Sequence, residues 1–134
     1  MVYLFLADGF EIIEAMAPID MLRRADIEIK TVGVTGKTVT SSCSIEVNAD
    51  ITIDEFEYKN ADAVILPGGG DGVINLEKNS AVQNVIDRAV EDGIYICAIC
   101  AAPSILGNKG LLSSVEATAY PSFTKYLDLS LIHI

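Results

Sequence analysis

Three short apolar runs, each ending in glycine or small residues, constrain this chain more than any other feature. "VYLFLA" (residues 2–7) runs into Asp-Gly, "ADAVILPGGG" (residues 61–70) ends in glycines, and "IYICAI" (residues 94–99) meets "CAAP". A continuous rather than alternating apolar run suits a strand covered on both faces, and such strands are typical of parallel sheets. Parallel neighbours need a crossover connection, usually a helix. A fourth run, "VEATAY" (residues 115–120), reads as a buried strand of the same kind.

The segments between the runs supply the helices. "EIIEAMAPIDMLRRA" (residues 11–25) spaces Ile12, Ala15, Met16, Ile19 and Leu22 on one helical face, with Arg23 and Arg24 at the end where cations complement the dipole. Pro18 is expected to kink or divide this helix. "NSAVQNVIDRAVEDG" (residues 79–93) repeats the pattern through Val82, Val85, Ile86, Ala89 and Val90, with Ser80 suited to cap it and Gly93 to close it. "APSILGNKGLL" (residues 102–112) predicts a short helix closed by Gly107 or Gly110, and "PSFTKYL" a further helix starting at Pro121. "IEIKTVGV" (residues 27–34) alternates as a strand, two short extended pieces follow, and residues 54–59 read as a loop or a single helical turn. Strands alternating with helices imply βαβ units, and so an open, mostly parallel sheet with helices on both faces. Ligands of such sheets bind beyond the carboxyl ends of the strands. Residues 8–14, residues 67–72 and Cys100 should meet there.

With 134 residues the chain forms one domain. A net charge of -10 repels phosphate backbones and anionic lipid, so nucleic-acid and membrane-surface roles are disfavoured, and small molecules or proteins are the expected partners. No secretory signal is legible, and no apolar run approaches the roughly 20 residues of a membrane span, so the expected location is the cytoplasm. Three cysteines, Cys43, Cys97 and Cys100, make no disulfide framework and read as free thiols. The spacing Cys97-x-x-Cys100 invites a redox or zinc reading, but the only histidine is the distant His133. A zinc site needs about four ligands, so no metal is expected.

Cys100 stands where a strand must become a helix. A nucleophile on such a turn is pushed outward by a strained backbone, and its neighbours must be small, a need met here by Ala98, Ala101 and Ala102. Unpaired N–H groups at the helix start would favour thiolate and lower the thiol's pKa. Both cysteines would also serve as small packing residues. Cys97, inside the strand, is read that way, and Cys100 is open to either role. Glu11 and Glu14 share a helical face. They either complement the dipole, or one carboxyl enters the site as proton donor and acceptor. "PGGGDG" lacks the lysine of a phosphate loop, and its N–H groups better suit a developing oxyanion.

"LADGFEIIEAMAPIDMLRRA", "DAVILPGGGDGVINL" and "AICAAPSILGNKGLL", in this order, resemble the glutamate helix, glycine loop and nucleophile elbow of the DJ-1/ThiJ/PfpI family. The resemblance runs from Val2 to about Tyr126. It implies a flavodoxin-like three-layer sandwich, usually a homodimer, with Cys100 as nucleophile and Glu14 hydrogen-bonded to it as proton donor and acceptor. Glu11 matches a neighbouring acid of less certain role, and Gly69 and Ala101 would be backbone oxyanion donors. The implied activity is cofactor-free, of glyoxalase or deglycase type, on 2-oxoaldehydes or glycated proteins. The alternative is a redox-sensing stress or chaperone protein that uses oxidation of the same cysteine. A flavodoxin-type phosphate- or flavin-binding module would fit the fold but leave the elbow unexplained. The family's peptidase branch has histidine where this chain has Ala101, which disfavours peptidase chemistry. Some glyoxalase-active members have histidine where this chain has Tyr120, a weaker candidate for proton relay. The domain is expected over residues 1–128, without the family's C-terminal part, and residues 129–134 ("LSLIHI" is residues 129–134) read as a tail of non-native character.

Overall fold

In the computed structural model, residues 1–127 and 131–132 are described. Every side chain of β1 (Val2–Leu6) is buried, as its unbroken apolar run requires of a strand at the centre of a sheet. It lies between β2 (Ile29–Gly33) and β6 (Ala63–Leu66), with β5 (Ile51–Thr52) beyond β2 and β7 (Tyr95–Ala98) beyond β6, in the order β5-β2-β1-β6-β7. All four pairings are parallel, and Val2 faces Ile29 on one side and Ala63 on the other. Successive residues of β1 feed opposite faces. Val2, Leu4 and Leu6 pack with Phe10, Ala15 and Ile19, the last two from α1 (Ile12–Arg24). Tyr3, Phe5 and Ala7 pack on the other face with Val73 and Leu76 of α2 (Gly70–Lys78), Val82, Val85, Ile86 and Ala89 of α3 (Ser80–Glu91), and Ile105 of α4 (Pro103–Asn108). The result is the expected three-layer α/β sandwich on a parallel sheet.

Several local expectations are corrected. α1 runs undivided through Pro18. Proline costs one backbone bond, but Ala15 and Ile19 on either side of it are buried against the strands and hold the helix in place. α2 was not anticipated, because Gly70 and Gly72 lower helix propensity. Val73 and Leu76, one turn apart and buried, compensate through packing. The cap of α3 is Asn79 rather than Ser80, its side-chain oxygen accepting from the N–H groups of Ala81 and Val82 at 3.0 and 3.1 Å.

β3 (Thr38–Thr40) and β4 (Glu46–Asn48) pair as an antiparallel hairpin that sends Val39 into the α1 layer. "VEATAY" is not a buried strand of the main sheet: only Glu116–Ala117 (β8) is extended, in parallel pairing with β9 (Leu131–Ile132). Between them Pro121–Tyr126 forms a 3-10 turn, so helical geometry does begin at Pro121. The rest of the expected tail, residues 129–130 and 133–134, lies outside the described residues.

β7 is half exposed rather than buried. As the last strand of the five, it is covered by α3 and α4 on one face, while on the other α1 leaves an apolar groove of about 630 Å³ lined by Ile13, Met21, Ile65, Cys97 and Ile99. Tyr95 is 79% exposed and Cys97 is exposed, so the packing role expected for Cys97 is not what the structure shows. Cys97 and Cys100 are both free thiols. Among the described residues no helix is long and apolar enough to cross a membrane, and no cluster of His, Cys, Asp or Glu could hold a metal ion.

Candidate active site

The elbow follows β7 directly. The N–H of Ile99 donates to the carbonyl of Leu66 at 3.4 Å, so strand pairing persists to the residue before Cys100. Cys100 then takes φ +60°. For a side-chain-bearing residue this left-handed conformation costs about 1–2 kcal/mol. The N–H of Ala102 closes the turn on the carbonyl of Ile99 at 3.0 Å, and Pro103 opens α4 where its missing N–H costs nothing. Ala101 and Ala102 are buried under the turn, where a larger side chain would force strand and helix apart.

Glu14 reaches the elbow from α1. Its carboxylate accepts the N–H of Gly68 at 2.7 Å, while the Gly68 carbonyl accepts the N–H of Glu11 at 3.0 Å, so one residue, through both its backbone groups, fixes the start of α1 against the end of β6. Glu11 itself is the cap of α1, its carboxylate accepting the backbone N–H of Glu14 at 2.8 Å. The two acids thus divide the roles that the sequence left open. Glu11 serves the helix end, and Glu14 faces the thiol.

Gly68 makes the meeting possible. A Cβ on it would lie 2.5 Å from a carboxylate oxygen of Glu14, 2.7 Å from Cβ of Cys100 and 3.2 Å from its sulfur. The thiol and the carboxylate therefore approach each other across a bare Cα, near enough for the carboxylate to shift the thiol's pKa. The backbone N–H groups of Gly69 and Ala101 lie near enough to the Cys100 sulfur to lower its pKa. Gly69 holds φ +94° with no room for a side chain, since a Cβ there would overlap the backbone of residues 9–11.

The thiol's pKa is raised, not lowered as the elbow alone suggested. Burial pushes it up most, the negative charge of Glu14 adds to this, and the two N–H donors offset only part of it. The helix meant to favour thiolate starts only at Pro103, whereas the carboxylate sits against the sulfur. Tyr120 reaches the elbow by a different atom from the one expected. Its ring is exposed, and its backbone N–H donates to the carbonyl of Cys100 at 2.7 Å.

Cys100, Glu14, Gly69 and Ala101 thus converge at the carboxyl edge of the sheet. Sequence reasoning passed over Gly68 as a distinct site residue; its signal was a glycine immediately after a strand-ending proline, facing two segments that only the fold brings near. A nucleophilic group beside a carboxylate and two converging N–H donors is the pattern of addition to a carbonyl.

Such a site on such a sheet defines a class of α/β proteins with a cysteine at the elbow opposed by a helix carboxylate. Within that class the chain belongs to the DJ-1/PfpI family, whose sequence profile matches residues 1–133. It is 33% identical over 123 residues to Protein dj-1beta of Drosophila melanogaster, covering 91% of this chain and 66% of the fly protein. A protein named a deglycase from Thermococcus kodakarensis is 29% identical over 118 residues, covering 88% of this chain and 70% of that protein. The crystal structure of a cysteine-to-alanine mutant of a DJ-1 superfamily protein from Salmonella typhimurium superposes with a TM-score of 0.92 at 34% identity, covering 98% of this chain and 72% of that one. The chain spans about two thirds of the length of the fly relative.

Proposed function

We propose that this protein is a cysteine-dependent, cofactor-free enzyme of glyoxalase or deglycase type, acting on 2-oxoaldehydes or on their early adducts with proteins. The observation that carries the reading is the approach of Glu14 to the Cys100 sulfur across Gly68, with the N–H groups of Gly69 and Ala101 near the same sulfur. The name of the Thermococcus relative supports it at the level of reaction type.

In this mechanism the Cys100 sulfur adds to the aldehyde carbon, the thiol proton passes to Glu14, and the oxygen that gains charge is met by the Gly69 and Ala101 N–H groups until Glu14 hands that proton on to it, which gives the hemithioacetal and leaves Glu14 ionised again. Glu14 then takes the proton from that carbon and returns it to the neighbouring carbon through an enediol. This leaves a 2-hydroxyacyl thioester, and water cleaves it to the hydroxy acid and the free thiol. The carboxylate that holds the resting thiol protonated is the base needed at the first step.

The test is lactate formation from methylglyoxal without glutathione, by this chain and by Cys100→Ala and Glu14→Ala. Turnover that disappears in both variants is expected. A folded, unmodified chain without turnover overturns the reading. It would leave the redox-sensing alternative, which the partial exposure of Cys100 favours, and peroxide treatment followed by mass measurement of Cys100 would then test that alternative directly.

A further inference from the structure

Residues 120–127 form a strap across the elbow and its helix. At its head, the Tyr120 N–H donates to the Cys100 carbonyl at 2.7 Å. At its foot, Leu127 is fully buried among core side chains, and the Tyr126 carbonyl lies so close over Gly107 of α4 that any Cβ there would overlap it. In between, the N–H of Phe123 bonds the Tyr120 carbonyl at 2.7 Å and that of Leu127 bonds the Thr124 carbonyl at 3.0 Å, which makes the strap a hydrogen-bonded 3-10 turn. A donor anchored at both ends thus meets the carbonyl of the one residue that the elbow holds at φ +60°.

We infer that Tyr120 is a positioning residue that acts through its backbone N–H, holding Cys100 in the left-handed conformation that directs its sulfur at Glu14 and at the Gly69 and Ala101 N–H groups. The hydroxyl has no part in this. Left-handed backbone is unfavourable for cysteine and persists only where surrounding bonds fix it. The peptide carbonyl of Cys100 turns with its ψ, so the Tyr120 bond holds the second of the two dihedrals that define the left-handed conformation. The inference rests on the site described above, but not on any substrate, so it can fail or hold independently of the glyoxalase reading.

The backbone at Tyr120 offers a selective perturbation. With φ -53° and ψ 137° it already has the geometry of proline and satisfies the restriction imposed by Pro121. Tyr120→Pro therefore suits the backbone at residue 120 while replacing the N–H by a ring carbon that cannot bond the Cys100 carbonyl and displaces it, and Tyr120→Phe removes only the hydroxyl. The readout is the coupling between Cys100 and Glu14: the shift in the pH midpoint of Cys100 alkylation caused by Glu14→Gln, measured in each background. The shift is expected to be unchanged with Tyr120→Phe and to fall to less than half with Tyr120→Pro, because the sulfur no longer faces residue 14. A full shift in folded Tyr120→Pro, or its loss in Tyr120→Phe, overturns the inference. Should Tyr120→Pro not fold, hydrogen exchange of the Tyr120 amide in the unaltered chain decides: strong protection supports the bond, and exchange at the rate of an open amide overturns it.

Discussion

Adding one methyl group at Gly68 tests the site most sharply. The φ of Gly68 lies outside the left-handed region, so alanine fits the backbone and any effect comes from contact. The new Cβ would stand 2.5 Å from Oε2 of Glu14 and 2.7 Å from Cβ of Cys100, both inside the closest approach that such atoms tolerate. Of the two, Cys100 is fixed by the elbow, whereas the Glu14 carboxylate is the end of a flexible side chain and moves first. In moving it gives up the 2.7 Å bond from the Gly68 N–H. A hydrogen bond to a charged group is worth about 1.5–3 kcal/mol, so turnover that depends on a placed carboxylate should fall by about 10- to 100-fold. Stability should fall by about 1–3 kcal/mol, as for overpacking of a close-packed site, and the chain should remain folded. Gly70→Ala is the control, since a Cβ there meets nothing within 4 Å and its backbone is helical. Lactate formation from methylglyoxal, Cys100 alkylation against pH and a thermal melt would be read together. Unchanged turnover and an unchanged alkylation midpoint in Gly68→Ala would refute the argument that chemistry passes between Glu14 and Cys100 over this residue.

Alkylation of Cys100 by iodoacetamide, followed by peptide mass, should show a midpoint above that of a small free thiol, and Glu14→Gln should bring it down by removing the adjacent charge. A midpoint that rises in Glu14→Gln would show that the pair's proton rests on the carboxyl instead. Asp50 links α1 to β2, accepting the Thr31 N–H and hydroxyl at 2.8 and 2.9 Å and pairing with Arg23 at 2.9 Å. Burial tends to raise its pKa, but these bonds and the charges of Arg23 and Lys37 bring it below the usual carboxylate value. Its stabilisation is therefore present above about pH 4 and lost as pH falls through the folded value, and Asp50→Asn should flatten the acid limb of a stability curve against pH. Phe10 is fully buried in the α1 layer, and its N–H and C=O groups bond residues 7 and 42. Phe10→Ala should cost about 3–5 kcal/mol in denaturant unfolding, and a loss below about 1 kcal/mol would mean that the layer repacks.

What the sequence made legible was whatever depends on neighbours along the chain. The burial of Val2–Leu6 and the apolar face of α3 are written in composition and period, and the small residues around Cys100 mark the elbow. The errors share a different cause. "IYICAI" is as apolar as β1, yet Tyr95 and Cys97 face outward, because nothing in a strand's own residues says what covers it. α2 is hidden by its glycines, of which Gly72, like Gly69 just before the helix, gives room to residues 9–11. Glu11 and Glu14 could not be told apart by spacing, since what separates them is the backbone of Gly68, which lies in the loop after β6.

The direction of the Cys100 pKa follows from the same distinction, and it bears on how the site works. An elbow considered alone places N–H groups on the sulfur and favours thiolate; the fold adds burial and a carboxylate from the far end of the chain, and these outweigh the donors. Under the proposed mechanism that reversal is useful. A standing thiolate would meet any electrophile or oxidant that entered, whereas a thiol kept protonated by Glu14 becomes nucleophilic as an aldehyde draws off sulfur electron density and the proton moves to the carboxylate. The N–H groups of Gly69 and Ala101, which lie near the resting sulfur, are then placed to meet the new oxyanion. Reactivity would be matched to the carbonyl and to the geometry of three segments meeting at Gly68, which is why the variants most informative about this site alter a glycine and a backbone N–H as well as the two side chains that carry the chemistry.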